Sequence, residues 1–280
     1  MKIVALIENK CNNDLLVEHG LAIYIEYDGH NYLLDSGRGS LFIENAKQLA
    51  IDLSQVDTCI LSHTHLDHAG GYDGFFEINS KAKVLVRDKG IEPCYSYKEN
   101  QYKYVGIPIE TLEKYSERFE YISGKYLVRK GVWLLPHTTP ALETRGASMQ
   151  MKRMVNGTLL DDDFAHEQTL VFECDEGLVI LNSCSHAGVD NILKEVQEAF
   201  PNQKLLAMIG GFHLKDIEGK VTNINHPAAI RSLAEWVKNI GIKEIHTGHC
   251  TGDAAFDILK ETLGEQLHYF CTGTVLEYNE

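Results

Sequence analysis

Three features are scarce or absent in this 280-residue chain, and each excludes a class of protein. No run of about eighteen apolar residues occurs, so the sequence predicts no membrane-spanning helix. The seven cysteines form no Cys-x-x-Cys pair, and their odd number argues against a disulfide framework. Lys and Arg total only 26 against 40 Asp and Glu, and the net charge of -14 argues against a nucleic-acid partner.

The remaining composition is that of a globular domain. Hydrophobic residues make up 44% of the chain, which is enough for a full core. Residues 1–8 read as a first strand, because Glu8 interrupts the apolar run too early for a secretory signal. Together with the reduced cysteines, this start predicts a cytoplasmic protein.

The most informative stretch is residues 63–68, which read HTHLDH and are followed by Ala-Gly-Gly. Residues 56–62, immediately before it, form a short β-branched apolar run that predicts a buried strand. The cluster therefore leaves the end of a core strand. In an extended loop His63 and His65 point the same way, while the Asp-His pair serves a neighbouring position. Nitrogen and oxygen donors at this spacing suit one or two transition-metal ions.

Five further histidines are candidates for the same centre. His186, His213 and His249 each follow a predicted strand, and small residues stand beside them. Three strand ends can converge on one edge of the sheets, so these residues are better candidates than His137 and His166. A histidine of this kind is otherwise an ordinary hydrogen-bonding residue, and that alternative stays open for each of them.

Strands and helices alternate along both halves of the chain, which predicts an α/β fold. Asp28 and Gly29 mark a hairpin turn, and Ser40 is a possible N-cap of the first helix. The predicted strands cover 21–27, 30–34, 56–62, 83–87, 131–136, 168–173, 177–182, 204–209, 243–245, 267–270 and 274–278, and the predicted helices cover 40–50, 189–200, 227–240 and 252–263.

The segment from about 90 to 130 differs in character, because it contains seven tyrosines and few aliphatic runs. It predicts an insertion or lid on the domain. The tyrosines have two interpretations: half-buried packing residues with a polar tip, or the wall of a pocket for a flat ring.

Three motifs resemble those of the metallo-β-lactamase superfamily. HTHLDH resembles its His-x-His-x-Asp-His motif, YLLDSG at 32–37 resembles its first motif, and IHTGHC at 245–250 resembles its last. The motifs stand in the family's order at suitable distances. The resemblance implies one αββα sandwich (mixed α/β, or α+β) that spans residues 1–280 as a single domain.

Later segments resemble one branch of that superfamily, the proteins named dihydropterin ribofuranosyl-aminobenzene-phosphate synthases. They are SCSHAG at 183–188, GGFHL at 210–214 and HCTG at 249–252. The sequence differs from the usual superfamily motifs at two places. The third-motif His lacks its usual setting, although His166 stands near that place, and the bridging Asp of the fourth motif is absent. Cys184 or His186 occupies that region, and His186 can fill either position.

The donor set and the resemblance together imply two ion positions with a hydroxide between them. His63, His65 and His186 are assigned to one ion, and Asp67, His68 and His249 to the other. The nitrogen-rich set favours zinc, with iron or manganese as alternatives. Asp35 and Cys184 are predicted to support the centre from behind it, although Cys184 can also be a soft ligand or an inert buried thiol.

Two residues have candidate catalytic roles. Asp67 orients the attacking water or passes its proton, or else acts only as a ligand. His213 donates a proton or binds a phosphate, ligates the metal, or packs in the core. The sequence thus predicts a metal-dependent enzyme that hydrolyses a small-molecule ester, lactone or phosphoester through a metal-bound hydroxide. The alternatives are the pterin-forming transferase and a non-catalytic metal-binding sensor, and the oligomeric state is left open.

Overall fold

The computed structural model describes residues 1–11, 14–215 and 226–280. The strands of this part are β1 Lys2–Ile7, β2 Ala22–Tyr27, β3 His30–Leu34, β4 Thr58–Ile60, β5 Lys83–Arg87, β6 Cys94–Lys98, β7 Gln101–Tyr104, β8 Phe119–Ile122, β9 Tyr126–Arg129, β10 Val132–Pro136, β11 Met151–Val155, β12 Thr158–Asp161, β13 Gln168–Cys174, β14 Gly177–Leu181, β15 Leu205–Ile209, β16 Glu244–Thr247, β17 Leu267–Tyr269 and β18 Val275–Glu277. The α-helices are α1 Leu41–Gln48, α2 Leu66–Ala69, α3 Tyr72–Ile78, α4 Ile109–Lys114, α5 Glu143–Ser148, α6 Val189–Ala199, α7 Pro227–Asn239 and α8 Asp253–Leu263.

The first sheet has the strand order β18-β1-β2-β3-β4-β5-β8. Its first four strands pair antiparallel, whereas β3, β4, β5 and β8 run parallel. Asp28 and Gly29 join β2 to β3 with φ of 46° and 71°. Positive φ at both central residues is what a tight hairpin turn of this hand requires, so the predicted hairpin is confirmed.

The second sheet has the order β17-β16-β15-β14-β13-β10-β9. Strands β14 to β17 run parallel, and β9, β10 and β13 join them antiparallel. The carboxyl ends of neighbouring parallel strands meet at one edge of a sheet. The loops that follow β14, β15 and β16 therefore lie side by side.

The two sheets pack face to face through fully buried aliphatic side chains. Ile23 and Leu34 on the first sheet belong to the same apolar cluster as Leu170 and Leu181 on the second. Helices α1 and α3 cover the outer face of the first sheet, and α6, α7 and α8 cover the outer face of the second. The layers are therefore helix, sheet, sheet and helix, and the predicted αββα sandwich is confirmed.

Helix α6 shows how the sequence produces an outer layer. Val189, Ile192, Leu193 and Val196 recur at helical spacing and are all buried against the second sheet. Burial of side chains of this size contributes about 1.5–3 kcal/mol each. Polar residues occupy the opposite face, so the helix has one docking orientation.

A third, smaller sheet with the order β12-β11-β6-β7 is added to the sandwich. The Tyr-rich segment is divided among the sheets: β6 and β7 lie in the added sheet, whereas β8 and β9 are edge strands of the first and second sheets. The added sheet also takes residues 151–161, where the sequence predicted no strand. Ser40 occupies the predicted N-cap position of α1, although its hydroxyl makes no capping hydrogen bond.

The described part of the chain contains neither a membrane-spanning helix nor a disulfide. None of its helices is long and apolar enough to cross a membrane. None of the seven cysteines, all of which lie in the described ranges, forms a disulfide. Cys184 and Cys250 are buried near the histidine-bearing loops, whereas Cys59 lies in the first sheet's core.

Candidate metal centre

Loops from both sheets meet at one edge of the sandwich. The HTHLDH segment follows β4 in the first sheet, and His186, His213 and His249 follow β14, β15 and β16 in the second. Rings from the two sheets are in contact, with 4.8 Å between the centroids of His63 and His186. The sequence predicted this convergence from strand ends alone.

The first donor group consists of His63, His65 and His186. Their ligand atoms lie within 4.8 Å of one another, and all three side chains are buried. Nε2 of His63 and both ring nitrogens of His186 have no hydrogen-bond partner among the described residues. Buried nitrogens without a partner are costly unless something binds them, so this group fits a cation with imidazole ligands.

The second donor group consists of Asp67, His68 and His249, whose ligand atoms also lie within 4.8 Å of one another. Oδ2 of Asp67 is 3.6 Å from Nε2 of His68 and 3.5 Å from Nε2 of His249. Cys184 adds a sulfur donor, because its Sγ is 3.2 Å from Nε2 of His68. The carboxylate, imidazoles and thiol form a mixed donor set that suits zinc.

Asp35 orients two of the imidazoles, His68 directly and His63 through the hydroxyl of Ser62. Its carboxylate accepts hydrogen bonds from the backbone N–H and hydroxyl of Ser62 and from Nδ1 of His68, each at 2.7 Å. Because the Ser62 hydroxyl donates to Asp35, Nδ1 of His63 donates to Ser62 Oγ at 2.9 Å. Both imidazoles therefore carry a proton on Nδ1, and their Nε2 atoms face the centre.

Asn9 fixes the tautomer of His249 in the same way. Its amide Nδ2 donates to the His249 carbonyl oxygen at 3.2 Å, which orients the amide oxygen towards Nδ1 of the ring at 3.0 Å. An amide oxygen only accepts, so Nδ1 of His249 carries a proton and its Nε2 faces Asp67. The backbone N–H of His249 donates to Glu8.

Burial sets the charges of the first donor group. Burial, reinforced by neighbouring imidazoles, lowers the pKa of His63 and His186 well below the ordinary value and lowers that of His65 to about 3. These rings are neutral near pH 7, so their lone pairs are available to a cation.

In the second donor group the pKa shifts favour the charged forms of the side chains. Burial opposes the charge on His68, but Asp67 and Asp35 outweigh burial and raise its pKa to about 9. Burial alone would raise the pKa of Asp67, but His68 and His249 hold it well below its ordinary value. Asp67 is therefore anionic, and a cation bound at this position would compete with the proton on His68.

Two histidine candidates lie outside both donor groups. His137 uses both ring nitrogens in buried ion pairs, at 2.7 Å to Glu167 and 2.8 Å to Glu195, which leaves none for a metal. His166 contacts Asp162 at 3.1 Å through Nε2 and accepts a hydrogen bond from the Thr64 N–H at 3.4 Å. His186, and not His166, completes the group with His63 and His65.

His213 lies at the side of the first donor group. Its ring centroid is 4.2 Å from that of His186, and it shares a cluster of possible ligand atoms with Cys184 and Cys250. The backbone N–H of His213 donates to Cys250 Sγ at 3.3 Å. This position is compatible with each of its three predicted roles.

Sequence reasoning missed several residues that contact the centre. His19 has its Nε2 3.4 Å from Oδ2 of Asp67 and stacks on His249 with 5.2 Å between the centroids. Glu8 and Asn9 directly follow β1, and Cys250 directly follows a predicted ligand. The other candidates were found because they follow strands, and the same rule applied to β1 would have indicated Glu8 and Asn9. His19 lies in a loop, and no sequence pattern marks it.

The family model of the metallo-β-lactamase superfamily matches residues 16–149. A solved structure described as a metal-dependent hydrolase of the β-lactamase superfamily superposes over 100% of both chains with a TM-score of 0.84 and 28% sequence identity. Residues 16–149 are therefore similar to the metallo-β-lactamase superfamily, and the whole chain has the fold of its members. Members of this superfamily bind metal, which agrees with the open nitrogens of the two donor groups.

Two further comparisons give the relation within the superfamily. The 7,8-dihydropterin-6-methyl-4-(beta-D-ribofuranosyl)-aminobenzene-5'-phosphate synthase of Methanocaldococcus jannaschii is 27% identical, and the alignment covers 99% of this chain and 97% of that protein. The metallo-β-lactamase fold protein YhfI from Bacillus subtilis has a TM-score of 0.57 at 13% identity over 99% of both chains, which shows the fold alone.

Proposed function

We propose that this protein is a metal-dependent enzyme of the metallo-β-lactamase superfamily that hydrolyses an ester, lactone or phosphoester bond of a small molecule. One observation carries the proposal. Two groups of three donors lie at the same sheet edge, and in His63 and His249 a hydrogen bond to Nδ1 leaves Nε2 without a partner among the described residues. We propose zinc as the metal, with iron or manganese as the alternatives.

Each part of the centre has a role in this chemistry. A bound divalent cation supplies an activated water and polarises the oxygen of the bond to be cleaved. His63, His65 and His186 hold one cation as neutral ligands. Asp67, anionic beside His68 and His249, holds the other and accepts a hydrogen bond from the attacking water.

His213 is proposed as the group that meets the substrate. Its ring lies beside His186, and the side chain is partly exposed, unlike the buried imidazoles of the first donor group. A half-exposed imidazole is suited to donate a proton to a leaving group or to bind a phosphate oxygen. Cys184 lies beside the second donor group, with its sulfur 3.2 Å from Nε2 of His68.

A pterin-forming condensation is the second candidate function. The similarity to the Methanocaldococcus jannaschii synthase extends over 99% of this chain, so it includes the loops that carry His186 and His213. The same donor groups would then bind and polarise a phosphate-bearing substrate. The two functions differ in their products, which makes them separable by assay.

The test begins with metal content. Elemental analysis of the purified protein should find one to two equivalents of zinc, iron or manganese, and a His63→Ala/His65→Ala double variant should lose at least one ion. A His30→Ala/His268→Ala double variant is the matched control, because neither residue belongs to a donor group. Full metal retention in the first variant would contradict the proposal.

Substrate assays then separate the functions. Wild-type protein should cleave at least one member of a panel of phosphodiester, lactone and thioester compounds, and the metal-depleted double variant should not. Condensation of a pterin with a ribofuranosyl-aminobenzene phosphate, without hydrolysis of the panel, would support the transferase. Metal binding without either reaction would support a sensor and refute both enzymatic functions.

A further inference from the structure

An imidazole between two carboxylates is buried behind the first donor group. Nε2 of His137 is 2.7 Å from Oε2 of Glu167, and Nδ1 is 2.8 Å from Oε2 of Glu195. The side chains of Glu167 and His137 are 0% and 2% exposed. Buried charges are expensive, and a pair of this kind is a poor source of stability by itself. Stability alone is therefore a weak explanation for this buried group. Its role is better inferred from the other contacts of the two carboxylates.

Glu167 makes its remaining contacts with the loop that carries His186. Its Oε1 accepts a hydrogen bond from the backbone N–H of His186 at 2.9 Å, and Oε2 accepts one from Ala187 at 3.0 Å. Hydrogen bonds from backbone amides to a buried carboxylate are among the stronger ones in proteins. The carboxylate thus holds the backbone of one predicted ligand directly.

The loop needs such a hold, because its backbone is strained. Ser185, immediately before His186, has a φ of 54°, a left-handed conformation that a non-glycine residue adopts at a cost. A bond from its N–H to Asn182 Oδ1 at 2.8 Å supports the turn from one side. Glu167 supports it from the other.

His186 also lacks the hydrogen bond on Nδ1 that orients three of the other imidazoles. His63, His68 and His249 each have Nδ1 fixed by an oxygen atom. Neither ring nitrogen of His186 has a hydrogen-bond partner among the residues that the structure describes. The ring instead stacks on Phe164, with 4.9 Å between the centroids and 14° between the planes. Its position therefore depends on the backbone more than that of His63 does.

From these contacts we propose that Glu167 is a positioning residue for the first donor group. It fixes the backbone at His186 so that the imidazole meets His63 and His65. The inference rests on the proposed metal-binding function. His137 holds the Glu167 carboxylate in place through the 2.7 Å contact, and the two backbone bonds transmit that placement to the ligand.

The test compares two isosteric variants of the metal-loaded protein. In Glu167→Gln only one oxygen remains to accept, so the N–H of either His186 or Ala187 loses its partner. Glu195→Gln is the matched control, since Glu195 is also buried and also contacts His137. Its other bonds go to Thr138 and Thr139, and none goes to the His186 loop.

The first readout is zinc affinity, measured by competition with a chromogenic chelator. Glu167→Gln should bind one of its ions at least about tenfold more weakly than wild type, the range found when a group that supports a metal ligand is removed. The other ion and the Glu195→Gln variant should stay within about threefold of wild type. Equal weakening in both variants, or none in Glu167→Gln, would overturn the inference.

The second readout is amide hydrogen exchange in the same proteins. The amides of His186 and Ala187 should exchange more rapidly in Glu167→Gln than in wild type, whereas Glu195→Gln should leave them protected. If Glu167→Gln does not fold, Glu167→Asp provides the test, because its shorter side chain keeps the charge but cannot reach both amides and His137. Unchanged protection in Glu167→Asp would refute the proposal. A wild-type protein that binds none of zinc, iron and manganese would instead refute the proposed function.

Discussion

Replacement of Asp35 by Asn tests how the centre obtains its ligand tautomers. The Asp35 carboxylate is fully buried and accepts three hydrogen bonds of 2.7 Å, two from Ser62 and one from His68. Asp35 has a φ of 61°, and Asn tolerates this left-handed region better than most residues. The substitution therefore changes charge and hydrogen bonding with little added backbone strain.

The expected defect follows from the donor count. Asn has one accepting oxygen, which the Ser62 N–H can occupy, and its NH₂ group then faces Nδ1 of His68. That nitrogen becomes an acceptor, so the His68 proton moves to Nε2, where it blocks a metal bond. Loss of a group that orients a ligand weakens metal binding about 10–100-fold. This corresponds to about 1.4–2.8 kcal/mol.

Zinc affinity by chelator competition is the assay, and Asp57→Asn is the control. Asp57 also accepts a backbone N–H, from Asn31 at 3.0 Å, and it pairs with Lys81 at the surface. It therefore reports on the loss of one carboxylate at a distance from the donor groups. The reasoning fails if Asp35→Asn binds both ions as tightly as the control.

Two other predictions concern protons. Metal-free protein should lose stability as the pH falls below about 6.5, the ordinary pKa of histidine. His65, with its pKa lowered to about 3, stays neutral in the folded chain while the unfolded chain takes up a proton. Chemical denaturation should thus give a lower midpoint at about pH 5 than at about pH 7, and a flat profile would contradict this. His213→Gln should abolish turnover while metal content stays intact; unchanged turnover would make His213 a packing residue, and loss of metal would make it a ligand.

The sequence was sufficient to predict the sandwich and to bring the candidate donors to one edge of the sheets. Alternation and length predicted the core strands to within about two residues, because each is bounded by turn residues. Parallel neighbours place their carboxyl ends together, so His186 and His249 could be brought to the HTHLDH loop without coordinates. Both trios assigned from the sequence reappear as donor groups.

The supporting contacts could not be predicted in this way. Glu167 and His137 are 30 residues apart, and His137 and Glu195 are 58 apart. A Glu at the start of a predicted strand has no periodic pattern to mark it as buried. The added sheet was missed for a related reason. Its strands are only four or five residues long and mostly half-exposed, so they lack the apolar alternation of the core strands.

Backbone strain at the centre indicates that side-chain chemistry, and not local stability, determines these positions. Asp35, His213 and His249 all have φ between 47° and 61°, where a non-glycine residue costs about 1–2 kcal/mol. Glycine would remove that cost at each position. It would also remove the carboxylate that fixes His68, the imidazole beside His186 and the imidazole that faces Asp67. The chain therefore keeps strained residues where their side chains serve the donor groups, and bonds such as that from the His249 N–H to Glu8 hold the backbone there.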